Sequence, residues 1–382
     1  MASWIARWAS CAVSWASMLR ARRQLAGALW LGASAIACAR LEPLRNCEGE
    51  SAIEVLCGFQ NPEDLAAAPG GEWIVVSQLP RQVDGKASGS GSLLVLRPRD
   101  GERRVLFPMP GAELHAGAAG VGSAECGGPP DAERFSPHGI DVAVLEDGTA
   151  RLLVVNHGGR EAIELFRLEV SEAGPSALWE GCVPLPEDAQ ANDVATLPGG
   201  GFVASNMLPR DAGALTMLQI GLGLPTGELL EWSAADGWRA VPETRASAPN
   251  GVAVSPDGQT LFFAAWGDSK LIRIARDGSG RRELALPHHP DNLSWGSDGR
   301  LLVTGQKGPI TNVPACGQLD SGTCPLPFSV LRVGPDDLSL EVVFEQDPAR
   351  LSGAGTVALE YGGALWIGTF AGDRILRVAE AR

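Results

Sequence analysis

Tyrosine occurs once in this 382-residue chain, aromatic residues make up 6% of it, and histidine occurs only five times. Any chemistry that needs an imidazole must therefore draw on very few positions. No run of five Lys or Arg residues appears and the formal charge is −14. The electrostatic footprint of a nucleic-acid binder is missing, so no nucleic acid is expected as a partner. None of the cysteines forms a Cys-x-x-Cys pair and no histidine cluster accompanies them, so a structural zinc is not expected. No Gly-x-Ser-x-Gly element with a strand-turn-helix context is present, which disfavours a serine hydrolase. The apolar stretch from Leu25 to Ala39, 15 residues, is short for a membrane span.

That stretch has the length of a signal-peptide core and follows Arg20, Arg22 and Arg23. Residues 1–37 therefore read as an export signal, with Met18 as an alternative start. Ala35-Ile36-Ala37-Cys38 resembles a lipoprotein processing box, in which Cys38 would be lipidated and become the mature N-terminus. The expected location is outside the cytoplasm: secreted, or a periplasmic or cell-surface lipoprotein. Membrane attachment is expected only through the N-terminal segment or a lipid on Cys38. Beyond Cys11 and Cys38 six cysteines remain, Cys47, Cys57, Cys126, Cys182, Cys316 and Cys324, an even number that suits disulfides in an oxidising compartment. Their connectivity stays open, with Cys316 and Cys324 the best-placed local pair.

Hydrophobic residues form 45% of the chain, enough for a large core, while 48 Gly and 27 Pro imply many turns. From Asn61 onward short apolar strands alternate with Gly, Pro, Asp and Asn turns; one helix is expected, from Ala214 to Leu222. One unit recurs six times: a polar head, a short apolar run, a Pro/Asp/Gly turn, then an apolar strand. The heads are Glu63-Asp64-Leu65, His138-Gly139-Ile140, Asn192-Asp193-Val194, Asn250-Gly251-Val252, Asp291-Asn292-Leu293 and Gly355-Thr356-Val357. Their spacings of 75, 54, 58, 41 and 64 residues suit four-stranded propeller blades with variable loops. The expectation is a single all-β domain over residues 38–382, a six-bladed β-propeller with four-stranded blades and a central calcium site.

In a propeller the innermost strands line a central channel, so the six heads converge. Glu63, Asn192, Asn250, Asp291 and Asn292 would then ring one axis, with Asp64 and Asp193 one residue further along. Carboxylate and amide oxygens without sulfur or clustered imidazole form a hard-cation set, better suited to Ca²⁺ than to Mg²⁺. Turn preference alone also favours Asn, Asp and Gly at strand starts, but leaves the in-phase recurrence and Glu63 unexplained. His138 opens an inner strand and His157 ends the next strand, so both reach the same end of the channel. His115, His288 and His289 read as solvated or loop-packing residues. Loops at Asp84 to Gly91, Gly111 to Arg134 and Lys307 to Pro327 are expected to rim the channel.

These residues resemble the calcium-dependent paraoxonase/arylesterase group of six-bladed propellers, and more distantly the gluconolactonase-like ones. Phe135-Ser136-Pro137-His138-Gly139-Ile140, then Leu152-Leu153-Val154-Val155-Asn156-His157, is similar to that family's double-histidine segment. Asn192-Asp193, Asn250-Gly251, Asp291-Asn292 and the segment from Ser352 to Thr369 follow in the family's order. The resemblance implies two calcium ions. A catalytic ion would be held by Glu63, Asn192, Asn250, Asp291 and Asn292. A structural ion would be held by Asp64, Asp193 and the carbonyl of Ile140. It also implies that His138 and His157 act on water, with Asp291 as an alternative base. Met207, Leu208 and Gln306 stand where the family has other residues, and no Cys follows Cys324 to complete its disulfide between chain ends. The activity implied is hydrolysis of lactones or aryl esters. The rival readings are a non-catalytic calcium-stabilised binding propeller and a lyase or synthase of the related superfamily. A small neutral substrate is expected, since the exported part loses four arginines from a chain already at −14.

Overall fold

Every one of the six repeated heads lies in the innermost strand of its own four-stranded antiparallel sheet. The computed structural model describes residues 41–83, 86–109, 121–171, 174–317 and 319–379. The export signal with Met18 and Cys38, and His115, lie outside the described residues. The inner strands are Pro62–Ala67, Pro137–Val144, Ala189–Thr196, Pro249–Val254, His289–Trp295 and Gly355–Tyr361, which open blades 1 to 6 in chain order. This is the expected all-β six-bladed propeller. The expected helix forms over Ala214–Gly221. Among the described residues no helix is long and apolar enough to cross a membrane.

The central strands of each blade are buried on both faces, because each sheet is sandwiched between two others. Strands such as Ala150–Asn156 and Thr260–Ala265 are therefore apolar nearly end to end instead of alternating. The core divides accordingly into interblade layers. Phe135, Leu152 and Phe166 pack with Trp73, Val75 and Leu93 between blades 1 and 2. Val203, Leu229, Phe263 and Ile272 fill the space between blades 3 and 4, and Leu65, Ile74 and Val76 meet Val357 and Trp366 between blades 6 and 1.

Both chain ends build the last blade. Ile53–Cys57 is the outermost strand of blade 6 and pairs antiparallel with Arg374–Ala379, Ile53 opposite Val378 and Cys57 opposite Arg374. No cysteine follows Cys324, and the two chain ends are joined here by a backbone ladder. Arg374 reinforces it: this fully buried guanidinium donates to the carbonyls of Asn46 (2.6 Å), Leu351 (3.0 Å) and Leu44 (2.7 Å), and its Nε donates to Asp373 (2.8 Å). The N-terminal segment is further tied by Cys47–Cys57, while Cys126–Cys182 and the expected pair Cys316–Cys324 staple loops.

Arg374→Met keeps the apolar stem but strands the carbonyls of Asn46 and Leu351, while the Leu44 carbonyl keeps the Thr323 amide, and a buried unsatisfied group costs about 1–3 kcal/mol. The expected result is a loss of roughly 2–6 kcal/mol in guanidinium unfolding, from the same range for each of the two carbonyls. An unchanged midpoint would show that the pairing of the two chain ends closes the ring unaided.

Candidate active site

The heads point into the channel because the inner strands break register there. In blade 2 the pairing jumps from Pro137 opposite Asn156 to Ile140 opposite Val154, so His138 and Gly139 bulge out. The same bulge releases Asn192 and Asp193, Asn250 and Gly251, Asp291 and Asn292, and Thr356 and Val357, and in blade 1 Glu63. A bulged residue leaves the ladder and its side chain is re-aimed. Four of the six bulges directly follow a proline, Pro62, Pro137, Pro249 or Pro290, which can give the ladder no N–H. Gly139 has a further reason to be glycine: a Cβ there would stand 2.4 Å from Asp193 Oδ1.

The bulges bring together Glu63, Asn192, Asn250, Asp291 and Asn292, all buried. Asn292 Nδ2 donates to Glu63 Oε1 (2.8 Å), and Thr356 Oγ1 donates to the Glu63 carbonyl (2.6 Å), tying blades 5 and 6 to blade 1. Gln306 Nε2 donates to Asp291 Oδ2 (2.6 Å) while its Oε1 accepts from Trp266 Nε1 (3.0 Å). Four oxygens of the ring, Glu63 Oε2, Asn192 Oδ1, Asn250 Oδ1 and Asn292 Oδ1, are buried without any hydrogen-bond partner. Buried polar groups are rarely left so. Among the described residues no group of His, Cys, Asp and Glu side chains alone could hold a metal. A cation at this place would depend on the three amide oxygens beside the two carboxylates, a set of hard donors.

Charge tells the same story. Burial, then the charges of Asp64 and Asp291, push the Glu63 carboxyl well above its usual range. Burial takes Asp291 up to about 7 against the hydrogen bonds from Gln306 and Asn250. Asp64 and Asp193 lie further along the channel, toward its opposite end. Asp64 accepts from the backbone N–H of Leu65 and Ile140, and Asp193 from those of Val194 and Val252. They thereby stitch blade 1 to blade 2 and blade 3 to blade 4. At Ile140, from which the sequence reading expected the carbonyl, it is the amide that meets Asp64 Oδ2 (2.7 Å). Burial brings Asp64 to about 7 and, with the Asp64 charge, drives Asp193 well up.

The two histidines meet as expected. His138 Nδ1 is 2.9 Å from His157 Nε2, and His138 Nε2 faces the ring, 3.5 Å from Asn192 Nδ2 and 3.7 Å from Glu63 Oε1. Burial, then the neighbouring His157, hold the His138 imidazole well below its ordinary value, so it is neutral and can accept a proton. Behind the pair, Glu161 Oε2 lies 2.7 Å from His157 Nδ1. Glu161 escaped the sequence reading, because one acid in a hairpin turn carries no signal until the turn is folded beside His157. His288 corrects the sequence reading in part: it is buried, its Nδ1 is 2.8 Å from Ser329 Oγ, and burial brings it to about 3.

Glu63, Asn192, Asn250 and Asp291 of the ring, with the histidine pair, line a cavity of about 710 Å³. Leu79, Met207, Leu208, Met217, Ile220 and Trp266 supply apolar wall, and Gly89, Arg134, Val313 and Gly322, from the loops expected at the rim, also line it.

Residues 112–376 match the arylesterase family. The chain belongs to the arylesterase family. Human serum paraoxonase/lactonase 3 is 27% identical over 261 residues, covering 63% of this chain and 67% of the human protein. A luciferin-regenerating enzyme shares the fold, with a TM-score of 0.53 at 14% identity over 86% of this chain and 95% of its own. Membership of the arylesterase family supports ester or lactone hydrolysis at the level of the family.

The raised carboxylates make a direct prediction for this arylesterase-family protein. A carboxyl held higher in the folded state than in the unfolded one stabilises the fold below the unfolded value near 4, and that contribution is lost as pH rises through its folded value. With chelator present, the melting temperature is expected to fall between about pH 4.5 and 7.5, the window set by Asp64 and Asp291 at about 7. A melting temperature that rises across this window would contradict the placement of these groups.

Proposed function

We propose that the chain is a calcium-dependent hydrolase of lactones or aryl esters. The observation that carries this reading is the set of four partnerless buried oxygens, three of them on the cavity-lining residues Glu63, Asn192 and Asn250, at a cavity that a neutral imidazole also lines. Glu63, Asn192, Asn250, Asp291 and Asn292 would hold the catalytic Ca²⁺. Asp64, Asp193 and the Ile140 carbonyl would hold a second, structural ion, whose charge would offset two buried carboxylates. When bound, the catalytic ion would supply an electrophile for the substrate carbonyl oxygen.

The remaining work falls to the chain itself. His138 Nε2 takes a proton from water as the water oxygen adds to the carbonyl carbon, and returns it to the departing oxygen. Asp291, whose Oδ2 accepts from Gln306, is kept in place as a ligand and is less free to act as the base. The side chains of Met207 and Leu208, with Met217 and Ile220, suit an apolar acyl or aryl group. A neutral substrate fits these walls. The three disulfides fit an exported protein, and export through residues 1–37, with or without a lipid on Cys38, is part of this proposal.

A panel of lactones and aryl esters, assayed with and without chelator, tests the reading. Hydrolysis should vanish on chelation and return with calcium. Removing a general base typically loses about 10² to 10⁴ in rate, so His138→Gln should be weakened by that order while Asn250→Ala and Asp291→Ala fall close to inactive. No hydrolysis of the panel by calcium-loaded protein would favour a binding propeller instead, and full activity in Asp291→Ala would refute the ligand assignment.

A further inference from the structure

The carboxylate behind the histidine pair plays no part in the chemistry above, yet the fold takes care to place it. Glu161 ends the turn that joins strand Ala150–Asn156 to strand Ala162–Ser171. Asn156 Oδ1 accepts from the amides of Ser136 (3.1 Å) and Gly158 (2.9 Å), and the His157 amide donates to the Ser136 carbonyl (3.0 Å). A Cβ on Gly158 would lie 1.6 Å from the Arg134 carbonyl oxygen, so only glycine lets the turn press this closely against the neighbouring loop. The Glu161 carbonyl accepts from the Leu185 amide (3.0 Å). With the backbone held from several sides, the side chain, 13% exposed, sets Oε2 at 2.7 Å from His157 Nδ1. Arg210 lines the same cavity but spends its guanidinium on the carbonyls of Pro186 and Ala189.

Hydrogen-bond bookkeeping along this chain has one solution. An ionised carboxylate only accepts, so His157 must carry its hydrogen on Nδ1, which leaves Nε2 bare. That Nε2, 2.9 Å from His138 Nδ1, can then only accept, so His138 also carries its hydrogen on Nδ1. The bare nitrogen that no histidine occupies is His138 Nε2, the atom that faces the cavity.

We propose that Glu161 is a positioning residue that fixes the tautomers of both histidines and so leaves the cavity-facing nitrogen of His138 free to take a proton. This inference rests on the hydrolase reading. When water gives its proton to His138 Nε2, the hydroxyl oxygen bonds to the carbonyl carbon, and the positive charge on the histidine pair faces the fixed negative charge of Glu161. Glu161 takes no proton itself. The proton on His138 leaves with the alcohol or phenol when the carbon–oxygen bond breaks.

An amide at position 161 can donate to His157 Nδ1 and reverse both tautomers, which puts a hydrogen on the nitrogen that must accept one. Glu161→Gln is therefore expected to lose about 10² to 10⁴ in kcat, the scale of a lost general base, with KM nearly unchanged. Glu161→Asp, which keeps the carboxylate, should fall between the two. Protein labelled with ¹⁵N-histidine, with signals assigned through His138→Gln and His157→Gln, should show both rings hydrogenated on Nδ1 in the parent protein and on Nε2 in Glu161→Gln. Either ring hydrogenated on Nε2 in the parent protein would overturn the proposal, as would full kcat in Glu161→Gln with unchanged tautomers. If Glu161→Gln fails to fold, judged by its melting curve, the spectrum of the parent protein decides alone. If the parent protein hydrolyses nothing, the hydrolase reading falls while the spectrum still decides the role of Glu161.

Discussion

Residues that leave a β-ladder have to find other partners, and in this chain all six inner strands make that exit at the same depth. The register breaks at Glu63, His138, Asn192, Asn250, Asp291 and Thr356 turn polar side chains out of the ladder and toward one another around the channel. Two carboxylates and three amides are gathered there, and four of their oxygens end without partners. Such an arrangement is costly in an empty channel and favourable around a cation. The rest of the molecule is organised to bear it.

The means is interblade stitching. Asp64 and Asp193 each reach the backbone of the next blade, Asp141 accepts from the Thr196 amide (2.8 Å) to join blades 2 and 3, and Thr356 ties blade 6 to the carbonyl of Glu63. The apolar layers between blades resist radial slip, and Arg374 with the strand Ile53–Cys57 closes the circle. The ring of donors is therefore positioned by contacts between neighbouring blades. The outer strands carry none of these donors, which leaves them free to vary in length and loop.

The architecture was legible in the sequence because its signal is repeated. A polar head, an apolar run and a Pro/Asp/Gly turn recur in phase, and proline before the head marks four of the six bulges. Of the site, the ring residues and His138 are readable for the same reason, and His157 through the family resemblance. Glu161 was not legible, since nothing in Gly158-Gly159-Arg160-Glu161 distinguishes it from any solvent-facing turn until the loop docks against Arg134. The clamp of Gln306 on Asp291 was hidden differently: it depends on register, which sets Gln306 opposite His289 in the neighbouring strand. The burial of His288 was missed because two adjacent histidines between prolines look like an exposed loop.

The central claim is that the bulged heads form one cation site. Calorimetric titration of chelator-stripped protein with Ca²⁺, run beside Glu63→Gln, tests it most directly. The account predicts saturable binding in the parent protein and clearly weaker binding in the variant, whose carboxylate charge is gone while its shape is kept. Absence of saturable binding, or equal affinity in both proteins, would contradict it.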